Sequence, residues 1–138
     1  MASKTIIGLD VGSARIGVAI ATHASHLPSP YGVILHDRSY LDNLLKLFID
    51  QKTDTVVVGL PRSLNGQDTP QTKLVRQFAY RLKQTSHLPV HFQDEALTSQ
   101  LAEQELRQRK IRYTKAMVDA LAATYILSDF LREHQEEV

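Results

Sequence analysis

Residues 55–60 read Thr-Val-Val-Val-Gly-Leu, a run of β-branched and apolar side chains without alternation, closed by Pro61. A strand with one face in water alternates apolar and polar residues, so an unbroken apolar run suits a strand covered on both faces, as in a parallel sheet. Few arrangements provide such cover. The flanking sequence has to supply helices, and it does.

Before this strand the pattern has period two. Residues 5–9 form a short β-branched strand ending at Asp10, and residues 10–13 read as a turn in which Gly12 can take positive φ. Over residues 15–21, Ile16, Val18 and Ile20 fall on one face while Gly17, Ala19 and Ala21 fall on the other. That second face is small enough for a helix or a substrate backbone to approach it closely. A third apolar segment, residues 31–35, completes an antiparallel meander. Helical spacing then takes over at Leu41, Leu44, Leu45, Phe48 and Ile49, with Ser39 placed to cap. Thr69-Pro70 starts a second helix whose buried stripe is Leu74, Val75, Phe78, Ala79 and Leu82. A short strand over residues 90–93 ends at Asp94-Glu95, a third helix runs from about 97 to 106, and a last one spans 115–131. The order β-β-β-α-β-α-β-α-α predicts an α/β fold with a mixed five-stranded sheet and helices packed against it, an order compatible with the ribonuclease H-like fold.

At 138 residues the chain is near the modal domain size, and a single domain over residues 1–138 is expected. It has no cysteine, which excludes a disulfide framework, a thiolate zinc site and a cysteine nucleophile. No apolar run approaches the roughly 20 residues that span a bilayer. Met-Ala-Ser-Lys leads straight into the first strand pattern, so a soluble cytoplasmic protein without membrane partners is expected.

The formal charge of +1 hides an asymmetry. Residues 62–115 hold ten Lys or Arg and five Asp or Glu, a net +5, which leaves −4 for the remainder. One face for a polyanion would produce that division, and so would a solvated helix surface. The segment Arg107-Gln108-Arg109-Lys110-Ile111-Arg112-Tyr113, followed by Lys115, combines positive charge with one aromatic ring and suits a backbone clamp on nucleic acid. Arg62, in the loop that follows Gly59-Leu60-Pro61, is a further candidate for phosphate. That loop is not a Walker A motif, since no Lys-Ser/Thr follows Gly66.

The carboxylates carry the chemistry. Asp10 stands at the carboxyl end of the first strand and is the only acid before Asp37. It can close a tight turn, or it can open a site. Asp119 is the one charge in Ala-Met-Val-Asp-Ala-Leu-Ala-Ala-Thr-Tyr-Ile-Leu, and a buried carboxylate needs an offset. Lys115 four residues back, the helix N-terminus or a bound cation would each provide one. Asp94 and Glu95 point to opposite faces of their strand, so one of the two enters any given site. Carboxyl ends of parallel strands share the edge where ligands bind. Acids gathered there repel unless a divalent cation joins them, and hard oxygen ligands without cysteine select Mg2+ or Mn2+. Carboxylates, metal and a basic flank read together as a nuclease. The six histidines are scattered and read as surface or structural groups.

Four segments in order resemble the YqgF (RuvX) family: residues 9–19, Leu-Asp-Val-Gly-Ser-Ala-Arg-Ile-Gly-Val-Ala; Val58-Gly59-Leu60-Pro61 with Gly66; Asp94-Glu95-x-Leu97-Thr98-Ser99; and Val118-Asp119-x-x-Ala122-Ala123-x-x-Ile126-Leu127. The resemblance covers nearly the whole chain. It implies the ribonuclease H-like fold, kinship with RuvC-type Holliday-junction resolvases, and maturation of the 5′ end of small-subunit ribosomal RNA. It further implies that Asp10, the Asp94-Glu95 pair and Asp119 are the catalytic acids. Asp10, Glu95 and Asp119 are then the expected metal ligands, with Glu95 preferred to Asp94 for its reach. Arg15, Arg62, Arg107, Arg109, Lys110, Arg112 and Lys115 are the expected nucleic-acid contacts. Two positions depart from the pattern. Ala96 stands where the family usually has Arg, and Gly59-Leu60-Pro61 stands where the resolvases carry their second acid. The expected partner is precursor ribosomal RNA, or branched DNA if the protein resolves junctions, and the protein works as a monomer or homodimer. A non-catalytic nucleic-acid-binding module with structural acids is the remaining alternative.

Overall fold

A computed structural model of the chain describes residues 3–63, 65–95 and 98–134, with the backbone alone at 98 and 99. The elements run β1 (Thr5–Val11), β2 (Arg15–Thr22), β3 (Ser29–Leu35), α1 (Tyr40–Asp50), β4 (Thr53–Pro61), α2 (Pro70–Ser86), β5 (Val90–Glu95), α3 (Thr98–Gln108) and α4 (Lys115–Glu133). They form a five-stranded sheet in the order β3-β2-β1-β4-β5, antiparallel across β1–β2 and β2–β3 and parallel across β1–β4 and β4–β5. This is the mixed sheet of the ribonuclease H-like fold.

β4 lies between two parallel neighbours, which explains its unbroken apolar character. Val56, Val58 and Leu60 join Ile7, Leu9, Ile16 and Val18 in a core closed by α1 and α2. Val57 faces the other way and packs with Ile6, Ala19 and Ala21 beneath Ala123, Ile126 and Leu127 of α4. The small face of β2 is therefore covered by a helix. A methyl group added at Gly17 would collide with the Asp119 carbonyl, and one at Gly8 would come within 2.9 Å of Leu127 Cβ. α3 docks on the outer side of α4 through Ala102, Leu106, Val118, Leu121 and Ala122.

Helix starts follow local chemistry, with one exception. The Thr69 hydroxyl accepts from the Thr72 amide and the Thr69 amide donates to the Thr72 hydroxyl, a full capping box with Pro70 in the first turn. Thr114 caps α4 through the Met117 amide. Ser39 occupies the cap position of α1 but makes no capping hydrogen bond with its side chain. Several boundaries lie further out than periodicity marks them, since backbone pairing outlasts the apolar pattern. β1 reaches Val11, β5 reaches Glu95, and α3 extends to Gln108, so Arg107 is helical rather than part of the connection. Gly12 does not take positive φ; its role is steric, because a Cβ there would stand 2.7 Å from the Arg15 carbonyl that its own amide bonds. Ala96 and Leu97, expected beside the acids and at the start of α3, lie outside the described residues, as does Leu64 of the loop after β4.

A candidate carboxylate site at the ends of β1 and β5

The face of the sheet beneath α4 ends in acid. Side chains alternate along β1, so Asp10 shares the face of Ile6 and Gly8, and it is registered against Gly17 of β2. Gly17 is the residue over which the backbone of α4 passes at Asp119. Two absent side chains, at Gly8 and Gly17, thus let a helix carrying a carboxylate come down beside a strand carrying another.

The third acid arrives from β5. Glu95 is registered against Pro61 of β4, and its carboxyl lies over Gly59: a Cβ there would stand 3.1 Å from both Glu95 Cδ and Oε1, and would collide with Ile126. Glycine in the middle of an apolar strand therefore marks the berth of this side chain. Asp94, one residue earlier, points to the opposite face. It is well exposed and stands 3.5 Å from Arg62 Nε, which also lies 3.6 Å from Asp68.

Electrostatics shows the convergence. The Asp10 carboxyl is pushed up from its ordinary 3.8 to about 7, first by burial and then by the negative charges of Glu95 and Asp119. Asp119 is offset by Arg15, whose Nε donates to Oδ2 at 2.6 Å with both side chains largely out of solvent. Lys115 is not its partner. The ion pair crosses from β2 to α4, between residues 104 apart in sequence, so nothing in the helical spacing around Asp119 signals it.

Asp10, Glu95 and Asp119 are therefore brought together, and Asp94 is not. Their donor set suits a hard divalent cation: three carboxylates, one of them already burdened by the charge of the other two. Among the described residues no three His, Asp or Glu side chains stand as close together as one ion's coordination shell requires. Of the basic candidates, Arg15 is engaged by Asp119, Arg107 pairs with Glu103 at 3.2 Å, and Arg109 pairs with Glu105 at 2.5 Å. Lys110, Arg112 and Lys115 are exposed and make no ion pair among the described residues. His36, read from sequence with the other histidines as surface or structural, bonds the Gly12 carbonyl at 2.7 Å and so fastens the turn that follows Asp10.

A family model described as "RuvX: Holliday junction resolvase" matches residues 4–133. The chain belongs to the RuvX (YqgF) family. A relative from Sulfurihydrogenibium sp. (strain YO3AOP1), named "Putative pre-16S rRNA nuclease", is 35% identical over 130 residues, covering 91% of this chain and 88% of the relative. A protein of the same name from Roseiflexus sp. (strain RS-1) is 38% identical, covering 91% and 92%. Among solved structures, Thermus thermophilus RuvC in complex with a Holliday junction superposes with a TM-score of 0.60 at 13% identity, covering 98% of each chain. The fowlpox virus resolvase bound to junction DNA gives 0.56 at 14% identity, covering 95% of this chain and 98% of that one. At such identities the likeness is one of fold, and it extends over essentially the whole RuvX chain.

Proposed function

We propose that the protein is a divalent-metal-dependent nuclease that hydrolyses phosphodiester bonds in precursor ribosomal RNA, at the 5′ end of the small-subunit species, and that it does so in the cytoplasm. One observation carries the reading: Asp10, Glu95 and Asp119, from three separate elements, converge at one place, where the Asp10 carboxyl is pushed up to about 7 first by burial and then by the charges of Glu95 and Asp119. The names of the relatives supply the substrate class.

Asp10, Glu95 and Asp119 would hold Mg2+ or Mn2+, which when bound supplies activation of water and stabilisation of the departing oxygen. The chain's own residues do the rest. Asp10 must give up its proton before it can serve as a ligand, so acid pH opposes the active form. Arg15 holds the Asp119 carboxylate by one oxygen, which fixes its direction beside the strand ends. Arg62, braced by Asp68 and Asp94 on its Nε side, stands at the end of β4 as a phosphate contact. Asp94 serves there as the anchor of an arginine. Lys110 and Arg112, exposed in the connection before α4, and Lys115, exposed at its start, attract the polyanionic strand.

The test is cleavage of a 5′-extended 16S precursor with Mg2+ or Mn2+, run beside a four-way DNA junction. Wild-type protein is expected to cut the RNA, and Asp10→Asn or Asp119→Asn to lose at least 100-fold in rate while remaining folded. Cleavage of the junction alone would transfer the site to branched DNA, the substrate in the family model's description. Unchanged turnover in the folded variants would end the proposal.

A further inference from the structure

On the opposite side of the sheet from the acids, a cavity of about 310 Å³ opens against the same turn. One wall is Val11, Gly12 and Ser13, the three residues that follow Asp10. The strand end that aims Asp10 beneath α4 thus turns its next residues toward α1 and α2. At 3.8 Å per residue along the chain, this wall begins within one or two residues of the acid cluster.

A second wall is aromatic. Tyr40 of α1 and Phe78 of α2 stack with centroids 5.5 Å apart, and the His36 ring meets Tyr40 edge-on at 4.8 Å. His36 is at the same time bonded to the Gly12 carbonyl, so the rings and the turn form one fixed unit. The mouth is polar, with Gln71, Gln77 and Arg81 of α2 around it. Leu74, whose spacing predicts a place in the buried stripe of α2, lies at the edge of that stripe instead, 59% exposed, and completes the rim.

Each part of this chamber meets a different requirement of one chemical class. The aromatic and aliphatic lining takes the apolar body of a flat ring; amide and guanidinium groups pair with the donors and acceptors on its edge; the volume lies at the small end of ligand pockets. A second protein segment would find room for about one ring rather than an extended apolar face, and an isolated anion would find rings. We propose that this cavity receives a single unstacked nucleobase of the substrate strand, next to the nucleotide whose phosphate lies at Asp10, Glu95 and Asp119. The inference rests on the nuclease reading for its substrate, and the strand crosses the carboxyl end of β1 with phosphate on one side and base on the other. Arg81 offers donors only, so a base that presents an acceptor to it, as a purine does at N7, is favoured.

The probe is a uridine hexanucleotide carrying one 2-aminopurine, titrated by fluorescence into the full-length protein without metal, so that no cleavage intervenes. Stacking in the aromatic chamber is expected to change the emission on binding. Leu74→Glu, which fills the mouth from an exposed position, and Arg81→Ala are each expected to weaken binding at least tenfold and to abolish the change. Ile49→Glu, on an exposed site outside the cavity wall, is the control and should bind as wild type. Thermal melts verify that every variant folds.

Wild-type emission and affinity retained in both folded cavity variants would overturn the inference. Adenosine monophosphate binding as tightly as the hexanucleotide would also overturn it, since the cavity would then serve a free nucleotide. If the protein cleaves RNA but never alters the probe's emission, the cavity inference fails and the nuclease reading stands. If it binds the probe in this cavity yet cleaves nothing, the cavity stands and the nuclease reading fails.

Discussion

Asp10 is held between opposing demands. Burial and two neighbouring carboxylates favour its protonated form, with a carboxyl near 7, whereas service as a ligand requires the anion. In the metal-free protein this has a definite sign. Between about 4 and 7 the folded state binds more protons at Asp10 than the unfolded state does, so its contribution to stability falls as pH rises through that window. Asp10→Asn is therefore expected to melt higher than wild type at pH 8 without metal, by an amount of order 2–4 kcal/mol, and the gap should close toward pH 4. Adding Mn2+ should reverse the order by stabilising the wild type alone. Arg15 acts in the opposite direction, since it neutralises part of the cluster. Arg15→Ala is expected to cost about 1–2 kcal/mol at pH 7, with most of that cost absent in an Asp119→Asn background, as a double-mutant cycle in urea would show. The acids themselves were legible in sequence because an apolar helix with one Asp, or a strand ending in acid, is conspicuous. Their pairings were not, because Arg15 and Asp119 meet only through the fold, and helical spacing pointed to Lys115 instead. Nor could sequence choose between Asp94 and Glu95 beyond reach; the choice follows from the strand's phase, which places Glu95 over Gly59 and Asp94 beside Arg62.

At the scale of elements, α4 and the small-residue face beneath it decide where the site is. Ala and Gly at positions 8, 17, 19, 21, 120 and 123 bring the helix down until a single methyl at Gly17 would strike the Asp119 backbone. Gly17→Ala is expected to push the start of α4 outward, destabilise the protein by about 1–3 kcal/mol and cut nuclease activity at least tenfold, because Asp119 moves away from Asp10. Thr69→Ala provides the contrast. It removes the cap of α2 and should lower stability by about 1 kcal/mol while leaving the acids where they are, so kcat should hold at temperatures well below the melt. Element order, the buried central strand and the close approach to β2 all followed from periodicity and residue size. What periodicity missed was the ends: β5 continues through Glu95 by pairing with β4, and that extension is what fixes the direction of the acid.

Across the whole molecule, charge is unevenly distributed. Acids meet at the strand ends, while Lys110 and Arg112 between α3 and α4, and Lys115 at the start of α4, are exposed to solvent. Neutralising these three together is expected to weaken RNA binding most at low salt and to flatten the slope of log affinity against log salt by about 2, or roughly 0.7 for each phosphate no longer neutralised. Such a change in slope would show a polyanion surface, whereas a merely solvated one would leave the slope unaltered. Fold, basic flank and aromatic chamber are all subordinate to one claim, that Asp10, Glu95 and Asp119 form a single cation site. Calorimetric titration of the intact protein with Mn2+ at pH 6, in buffers of different ionisation enthalpy, tests it most directly. Saturable uptake should release about one proton from Asp10 for each ion bound, and Asp10→Asn should lose that release together with most of the affinity. Absence of saturable uptake by the wild type, or identical uptake by the Asn variant, would contradict a shared cation site.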